Sequence, residues 1–252
     1  MQNNIVVYTT IFGPYDELLE LNLPKKNVDF ICFTDQKNLK SRFWNIVYVN
    51  RNENANILNR RYKWLPHLFL PSYTTSIYID ANLELLVSAE QLIAKYLHVT
   101  NIAIPESPSR SCVYEEAEAC IKNLKTTPKH LIPQIKFYTR EEMPVKFGLW
   151  ANRLIIRNHN KAEIKALMDL HWQEFQRWET KRDQLSFPFI VWKNNKRITT
   201  ICLKKDKIFR VHKHKTKNNK NLIWKILRKA RNEFLIVFYF CQFKILLGML
   251  RR

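Results

Sequence analysis

Ile77-Tyr78-Ile79-Asp80-Ala81-Asn82-Leu83-Glu84 is the stretch on which the reading of this chain turns. An apolar, largely β-branched run ends in a carboxylate, and open α/β sheets bind their ligands at the carboxyl ends of their strands. Two residues on, Asn82 offers a second oxygen. An Asp-x-Asn pair can hold Mn²⁺ or Mg²⁺ through oxygen while the ion takes up a substrate diphosphate. A strand end closed by an ordinary turn aspartate is spelled the same way, and short matches of this kind are common. On the metal reading, Asp80→Ala abolishes activity, and a solvent-facing acid leaves the fold stable when it is removed.

Upstream, residues 56–70 read as one helix, with Ile57, Leu58, Tyr62, Leu65 and Phe69 toward the core and a stop near Pro71. Arg60 and Lys63 are three apart and share a face. They can neutralise a pyrophosphate leaving group or simply form a solvated helix face. Before them, Ile5 to Thr9 reads as a buried strand, broken by Gly13-Pro14. Val28 to Thr34 is a second strand that runs into a polar turn at Asp35, and Trp44 to Val49 is a third. The loop Thr9-Thr10-Ile11-Phe12-Gly13-Pro14-Tyr15-Asp16 can wrap a nucleotide base. Thr9, Thr10, Tyr15 and Asp35 are accordingly expected near a base and ribose. The Gly-rich dinucleotide and P-loop fingerprints are absent, as is a nucleophile elbow.

Downstream, 113–122 and 161–178 look helical, Leu154 to Ile156 looks like a strand, and 182–193 opens as a turn or helix. Strands alternating with helices argue for an α/β layered domain, here over residues 1–215. Asp183, followed by Gln184, offers a carboxylate to a donor sugar or to an acceptor hydroxyl; capping a short helix is an equal alternative. Glu115 and Glu116 are weaker candidates for the base, and Asn152 is expected in the same cleft. In Phe209-Arg210-Val211-His212-Lys213-His214, two imidazoles two residues apart share a face if the segment is a strand. One of them can complete a metal shell, although the surrounding lysines equally suit a solvated basic tail.

Composition narrows the function. The 252 residues carry a formal charge of +20 and are 46% hydrophobic, enough for a full α/β core. The excess is local, since residues 204–252 hold fifteen Lys or Arg against Asp206 and Glu233. A charge concentrated in a tail, with no nucleic-acid motif, argues against a nucleic-acid-binding protein and for an anionic surface as partner. Within 216–252 the basic residues Lys225, Arg228, Lys229 and Arg231 interleave with Leu222, Ile223, Trp224, Ile226 and Leu227. The apolar run 234–240 follows. That pattern suits an amphipathic helix lying in an anionic membrane interface, with a buried helix of a homo-oligomer as the alternative. Lys244 interrupts any spanning run. Five cysteines without a CxxC pair, and an opening MQNNIVVYTT with no basic and apolar leader, set the expectation of a cytoplasmic protein, peripheral on the membrane's inner face.

Several stretches carry a resemblance. They are Tyr8–Asp16, Tyr78-Ile79-Asp80-Ala81-Asn82, Cys112–Cys120, Met143-Pro144, Gly148-Leu149-Trp150-Ala151-Asn152 and Arg182-Asp183-Gln184-Leu185-Ser186-Phe187-Pro188. In order over residues 5–195, the chain resembles the TOD/MUCI glycosyltransferase-like family, whose members occur in plants and in bacterial surface-polysaccharide loci such as those for lipopolysaccharide and capsule. The resemblance implies a GT-A-like fold with a mixed, mostly parallel sheet flanked by helices. It implies a nucleotide-sugar donor and a glycan or lipid-linked acceptor, with Asp80 and Asn82 at the metal position that is commonly Asp-x-Asp. The competing readings are a basic nucleic-acid-binding protein and a membrane-associated protein without catalysis.

Overall fold

The computed structural model describes residues 3–14, 17–123 and 125–213. Tyr15, His214 and the expected amphipathic segment 216–252 lie outside the described residues. The chain falls into two compact units. The first comprises the described residues of Met1–Pro108, Trp150–Gln173 and Lys196–Lys217, and the second those of Ser109–Leu149 and Glu174–Asn195.

The first unit opens with β1 (Ile5–Ile11), β2 (Val28–Thr34) and β3 (Asn45–Tyr48). Two short helices follow, α1 (Ala55–Trp64) and α2 (Pro66–Phe69), and then β4 (Thr75–Ile79), β5 (Leu83–Leu85), α3 (Ala89–Tyr96) and β6 (Ile102–Pro105). The second unit contributes α4 (Val113–Lys122) and α5 (Pro128–Arg140). The chain returns to the first unit with β7 (Leu154–Arg157), and α6 (Ala162–Arg177) leads into the second, where α7 (Asp183–Lys193) lies. Finally β8 (Thr199–Ile201) and β9 (Phe209–Val211) belong again to the first.

Seven strands form one sheet in the order β3-β2-β1-β4-β7-β6-β8. β1 runs parallel to β2 and to β4, and β2 parallel to β3. β7 is antiparallel to both its neighbours, while β6 and β8 are parallel. β5 and β9 pair separately as an antiparallel ribbon. This is the expected mixed and mostly parallel sheet flanked by helices. Its inner strands read as near-continuous apolar runs because both faces are covered. On one face Val7, Cys32, Ile77, Ile79, Leu154 and Ile156 join Ala89, Leu92 and Tyr96 of α3 in a single apolar cluster. The alternate residues, Tyr8, Ser76, Tyr78 and Arg157, are buried on the opposite face.

Helix boundaries follow local chemistry. The Asn54 side chain accepts the Asn56 N–H and starts α1. Pro66 disfavours helical backbone at the residue before it, and Leu65 takes φ −114° and ψ 52°. The single helix expected over 56–70 is therefore two, because Pro66 breaks it and then starts α2. In the second unit, the Tyr138 ring stacks on Phe189 at 4.2 Å and its hydroxyl donates to Glu174 Oε1 at 2.9 Å. Thr180 donates to the buried Gln134 at 2.7 Å.

Candidate active site

From β1 the chain steps outward through β2 and β3. It then crosses back through α1 and α2 to place β4 on the other side of β1. Strand order reverses between β1 and β4, and the crevice outside the carboxyl ends of such a pair is where open α/β sheets take a ligand. Two segments border it: Thr9 to Gly13 leaving β1, and Asp80 to Asn82 leaving β4.

A hydrogen-bonded chain runs across this point. Tyr78 donates its hydroxyl to Asp80 Oδ1 at 2.9 Å. Thr10 Oγ1 lies 3.4 Å from the same hydroxyl. Asn59 of α1 donates to Thr10 Oγ1 at 2.8 Å and to its carbonyl at 3.2 Å. Arg60 donates to Asn59 Oδ1 at 3.3 Å. Burial, followed by the Asp80 carboxylate, pushes the Tyr78 phenol well above its ordinary range, so it stays protonated and serves as a donor. Sequence reading missed Tyr78 and Asn59. Tyr78 was findable, because it lies two residues before Asp80 on a strand and so shares its face.

Lys63 approaches from the same helix. Its ammonium is 3.8 Å from Asp80 Oδ1 and 4.9 Å from the centre of the Tyr78 ring. Its side chain is only 6% exposed, against 37% for Asp80. The Lys63 carbonyl accepts hydrogen bonds from the Tyr8 hydroxyl and from the fully buried Arg157. The last carbonyls of a helix lack partners within it, and this pair of donors fixes where Lys63 stands. Arg60, Lys63 and Thr10 are thus brought together with Asp80.

The remaining donor-side candidates are placed differently. Asp35 accepts the Gly13 N–H at 2.8 Å on one oxygen and Arg51 at 3.2 Å on the other. It holds the loop after β1, where Gly13 adopts φ +70°, a conformation glycine takes without a Cβ penalty. Thr9 is fully buried on the strand face opposite Thr10, and its hydroxyl has no hydrogen-bond partner among the described residues. Asn152 precedes β7, in the turn whose Arg153 carbonyl accepts the Asp80 N–H at 2.9 Å. It is 6% exposed, and among the described residues neither atom of its amide has a partner. A buried amide with two open valences suits a hydroxyl, which can donate and accept at once.

The expected cation ligands do not converge. Asn82 donates its amide to the His212 carbonyl at 2.8 Å, and its own carbonyl accepts the His212 N–H at 2.9 Å. The His212 ring meets Glu84 Oε2 at 2.7 Å, and that partner, with Arg210, holds the Glu84 carboxyl below its usual range. Asn82 and His212 therefore extend the β5–β9 ribbon. Among the described residues no group of three or more His, Cys, Asp or Glu side chains is set to hold a metal ion. The Asp80 carboxylate already faces the Lys63 ammonium. This donor set does not fit a divalent cation held by Asp80, Asn82 and His212 together.

Asp183, Gln184 and Glu116 belong to the second unit. Asp183 is the first residue of α7 and is 4% exposed, and Arg182 rather than Asp183 takes the capping place, so the capping alternative does not hold. A carboxylate in the first turn is favoured by the helix dipole. Glu116 is fully buried, 2.6 Å from Arg110 Nε and 3.7 Å from Arg182, and it accepts from the Cys120 thiol at 3.3 Å. Its oxygens thus hold two guanidinium groups in place. Glu115 is the exposed one and accepts the Ser111 N–H at 2.7 Å.

The fold and site together define an α/β protein with a carboxylate, an ammonium and a guanidinium gathered at the strand-order switch of its sheet. Residues 1–218 match the family described as TOD1/MUCI70, glycosyltransferase-like domain, and the chain belongs to that family. It is 27% identical over 215 residues to a probable hexosyltransferase, MUCI70, of Arabidopsis thaliana, covering 73% of this chain and 36% of that protein. It is 24% identical over 226 residues to the alkaline ceramidase TOD1 of the same plant, covering 74% of this chain and 48% of that protein. The chain thus spans less than half the length of these relatives. Among solved structures, it is similar to the WbbM bifunctional glycosyltransferase (TM-score 0.47, 10% identity, 81% of this chain and 40% of that one). It is also similar to mouse xyloside xylosyltransferase 1 (TM-score 0.45, 10% identity, 85% of this chain and 97% of that one).

Proposed function

We propose that the chain transfers a sugar from a nucleotide-sugar donor to a hydroxyl of a glycan or lipid-linked acceptor of a surface polysaccharide. The observation that carries this reading is the placing of Asp80, Lys63 and Arg60 at the β1/β4 switch. In the reaction, the bond between the sugar's anomeric carbon and the diphosphate oxygen breaks. The nucleoside diphosphate leaves with the electron pair. The acceptor oxygen bonds to the anomeric carbon, and its proton passes to a carboxylate. Asp183 is proposed as that carboxylate, with Gln184 beside it on the sugar. Asn152 pairs with a sugar hydroxyl, and Thr10 stands near the base and ribose. Positive charge at the crevice stabilises the charge that develops on the leaving group.

The segment 216–252 is proposed to hold the enzyme at an anionic membrane, near a lipid-linked acceptor, on the cytoplasmic side. No described helix is long and apolar enough to cross a membrane. The test is release of nucleoside diphosphate from a panel of nucleotide sugars, run beside amide hydrolysis of a ceramide. Sugar-dependent release that is lost in Asp80→Asn supports the transferase. Ceramide cleavage without it overturns the transferase reading. Asp183→Asn keeps the shape and removes the charge, and activity at the unmodified level across pH excludes Asp183 as the base.

A further inference from the structure

We propose that the positive charge facing the donor diphosphate is built into the chain, through Lys63 and Arg60, and that nucleoside diphosphate binding needs no divalent cation. The inference rests on the donor-site reading above and deepens it. Three observations carry it.

First, the Asp80 charge is already balanced. The Lys63 ammonium lies 3.8 Å from Oδ1, which also accepts the Tyr78 hydroxyl at 2.9 Å. A cation bound to this carboxylate would sit close to a buried ammonium, and like charges at such distances repel strongly in a low-dielectric setting. Second, Lys63 is fixed. Its side chain is 94% buried against the Tyr78 face, and its carbonyl is held by Tyr8 and Arg157. A preorganised charge needs no rearrangement when the anion arrives. Third, the expected cation shell is not assembled: the His212 ring is 2.7 Å from Glu84 instead of facing Asp80, and among the described residues no group of three or more His, Cys, Asp or Glu side chains is set to hold a metal ion.

Charge arithmetic gives the same answer. Asp80, Lys63 and Arg60 together carry +1, where a second carboxylate at position 82 in place of Asn82 would bring the same set to zero. Arg60 is partly exposed one turn before Lys63, and its guanidinium donates at 3.3 Å to Asn59, which reaches the Tyr78 hydroxyl through Thr10. Its planar fork matches phosphate oxygens. Asp80 Oδ2 has no hydrogen-bond partner among the described residues, on a side chain 37% exposed. It is left to accept from a hydroxyl of the ribose or the sugar. Lys63 is thus a charge-balancing and positioning residue, and Arg60 the group that touches the diphosphate.

The test is calorimetric titration of the full chain with UDP, GDP, CDP and dTDP, in excess EDTA and again in excess Mn²⁺. The expected result is that one of them binds in EDTA with a Kd within about threefold of its value in Mn²⁺. Lys63→Met then weakens that binding about tenfold or more, Arg60→Ala does likewise, and Lys63→Arg retains most of it. Binding seen only with Mn²⁺ overturns the inference and leaves the donor-site reading standing. Wild-type affinity of Lys63→Met in EDTA also overturns it. Binding of none of the four under either condition removes the donor-site reading itself. The EDTA comparison on the unmodified chain decides the matter even if Lys63→Met fails to fold, and far-ultraviolet circular dichroism melting identifies that case.

Discussion

Asp80 carries two loads at once. It stands in the crevice, and it is the carboxylate that meets a nearly buried ammonium. Sequence alone casts it as a solvent-facing acid whose removal spares the fold. The structure changes that expectation. Asp80→Ala leaves Lys63 without its carboxylate and Tyr78 without its acceptor, so it should cost about 1–3 kcal/mol of stability. Asp80→Asn keeps an acceptor for Tyr78 and should cost less. Both should lower transfer by about tenfold or more, because each removes Oδ2, the acceptor proposed for a ribose or sugar hydroxyl, and a hydrogen bond to a charged group contributes about 1.5–3 kcal/mol. Urea midpoints and initial rates separate the two effects, and an Asp80→Ala midpoint equal to that of the unmodified chain would show that the Lys63 pair adds nothing. Much of this was legible at the residue scale, since an apolar strand ending in Asp points to a crevice. The pairing of Lys63 with Asp80 was not. They are seventeen positions apart, across the end of α1, all of α2, a turn and β4, and only the fold sets their distance. The same holds for Glu116, whose two arginine partners, Arg110 and Arg182, are 72 positions apart in the chain.

At the scale of elements, α1 is the piece that delivers the site. Its far end is clamped from the sheet, where the Tyr8 hydroxyl donates to the Lys63 carbonyl at 2.7 Å and Arg157 donates to both. Burial holds the Tyr8 phenol up at about 12, so it remains a donor throughout the working range. Tyr8→Phe should destabilise the chain by about 1–3 kcal/mol, because Arg157 is left fully buried with one acceptor fewer. It should also weaken donor binding, since Lys63 loses its anchor; thermal unfolding and nucleotide titration read the two separately. Of the inner strands, β1, β2, β4 and β7 were readable from their apolar runs, whereas the four-residue β6 was missed. Val28–Thr34 and Val113–Lys122 match their expected bounds. α3 was missed although Ser88 and Gln91 spell a capping box, which the structure contains. α5 was obscured by Pro133, which reads as a breaker yet sits inside the helix. β5, β8 and β9 are three residues each, too short for any period to show.

For the molecule as a whole, acid should be the weak side. His159 is fully buried, its ring bonds to the Leu70 carbonyl at 3.0 Å, and burial pushes its pKa down from 6.5 to about 4. The unfolded chain takes up the proton first. The stability that neutral His159 contributes is whole above pH 6.5 and is lost as pH falls from there toward 4, by about 3 kcal/mol at the lower end. His159→Gln keeps a donor for Leu70 and cannot titrate, so its urea midpoint should vary less over that window than the midpoint of the unmodified chain. The basic tail sets a second whole-molecule expectation. The full chain should float with anionic vesicles at low salt, with about 1 kcal/mol gained per basic residue near the surface, and a chain ending at Lys215 should not. If both remain in the soluble fraction, the membrane proposal is withdrawn in favour of a second copy as partner.

The β5–β9 ribbon sets a length. Asn82, two residues past Asp80, is bonded to His212 by backbone and side chain alike. From His212 the chain runs ten residues to Leu222, where the basic and apolar interleaving begins. Fully extended, ten residues reach about 35 Å and no further. If residues from Leu222 onward rest on a surface, the crevice is leashed within that radius of it, and the leash works as a ruler. On the transferase and membrane proposals together, only acceptors whose growing end lies within that reach would be extended.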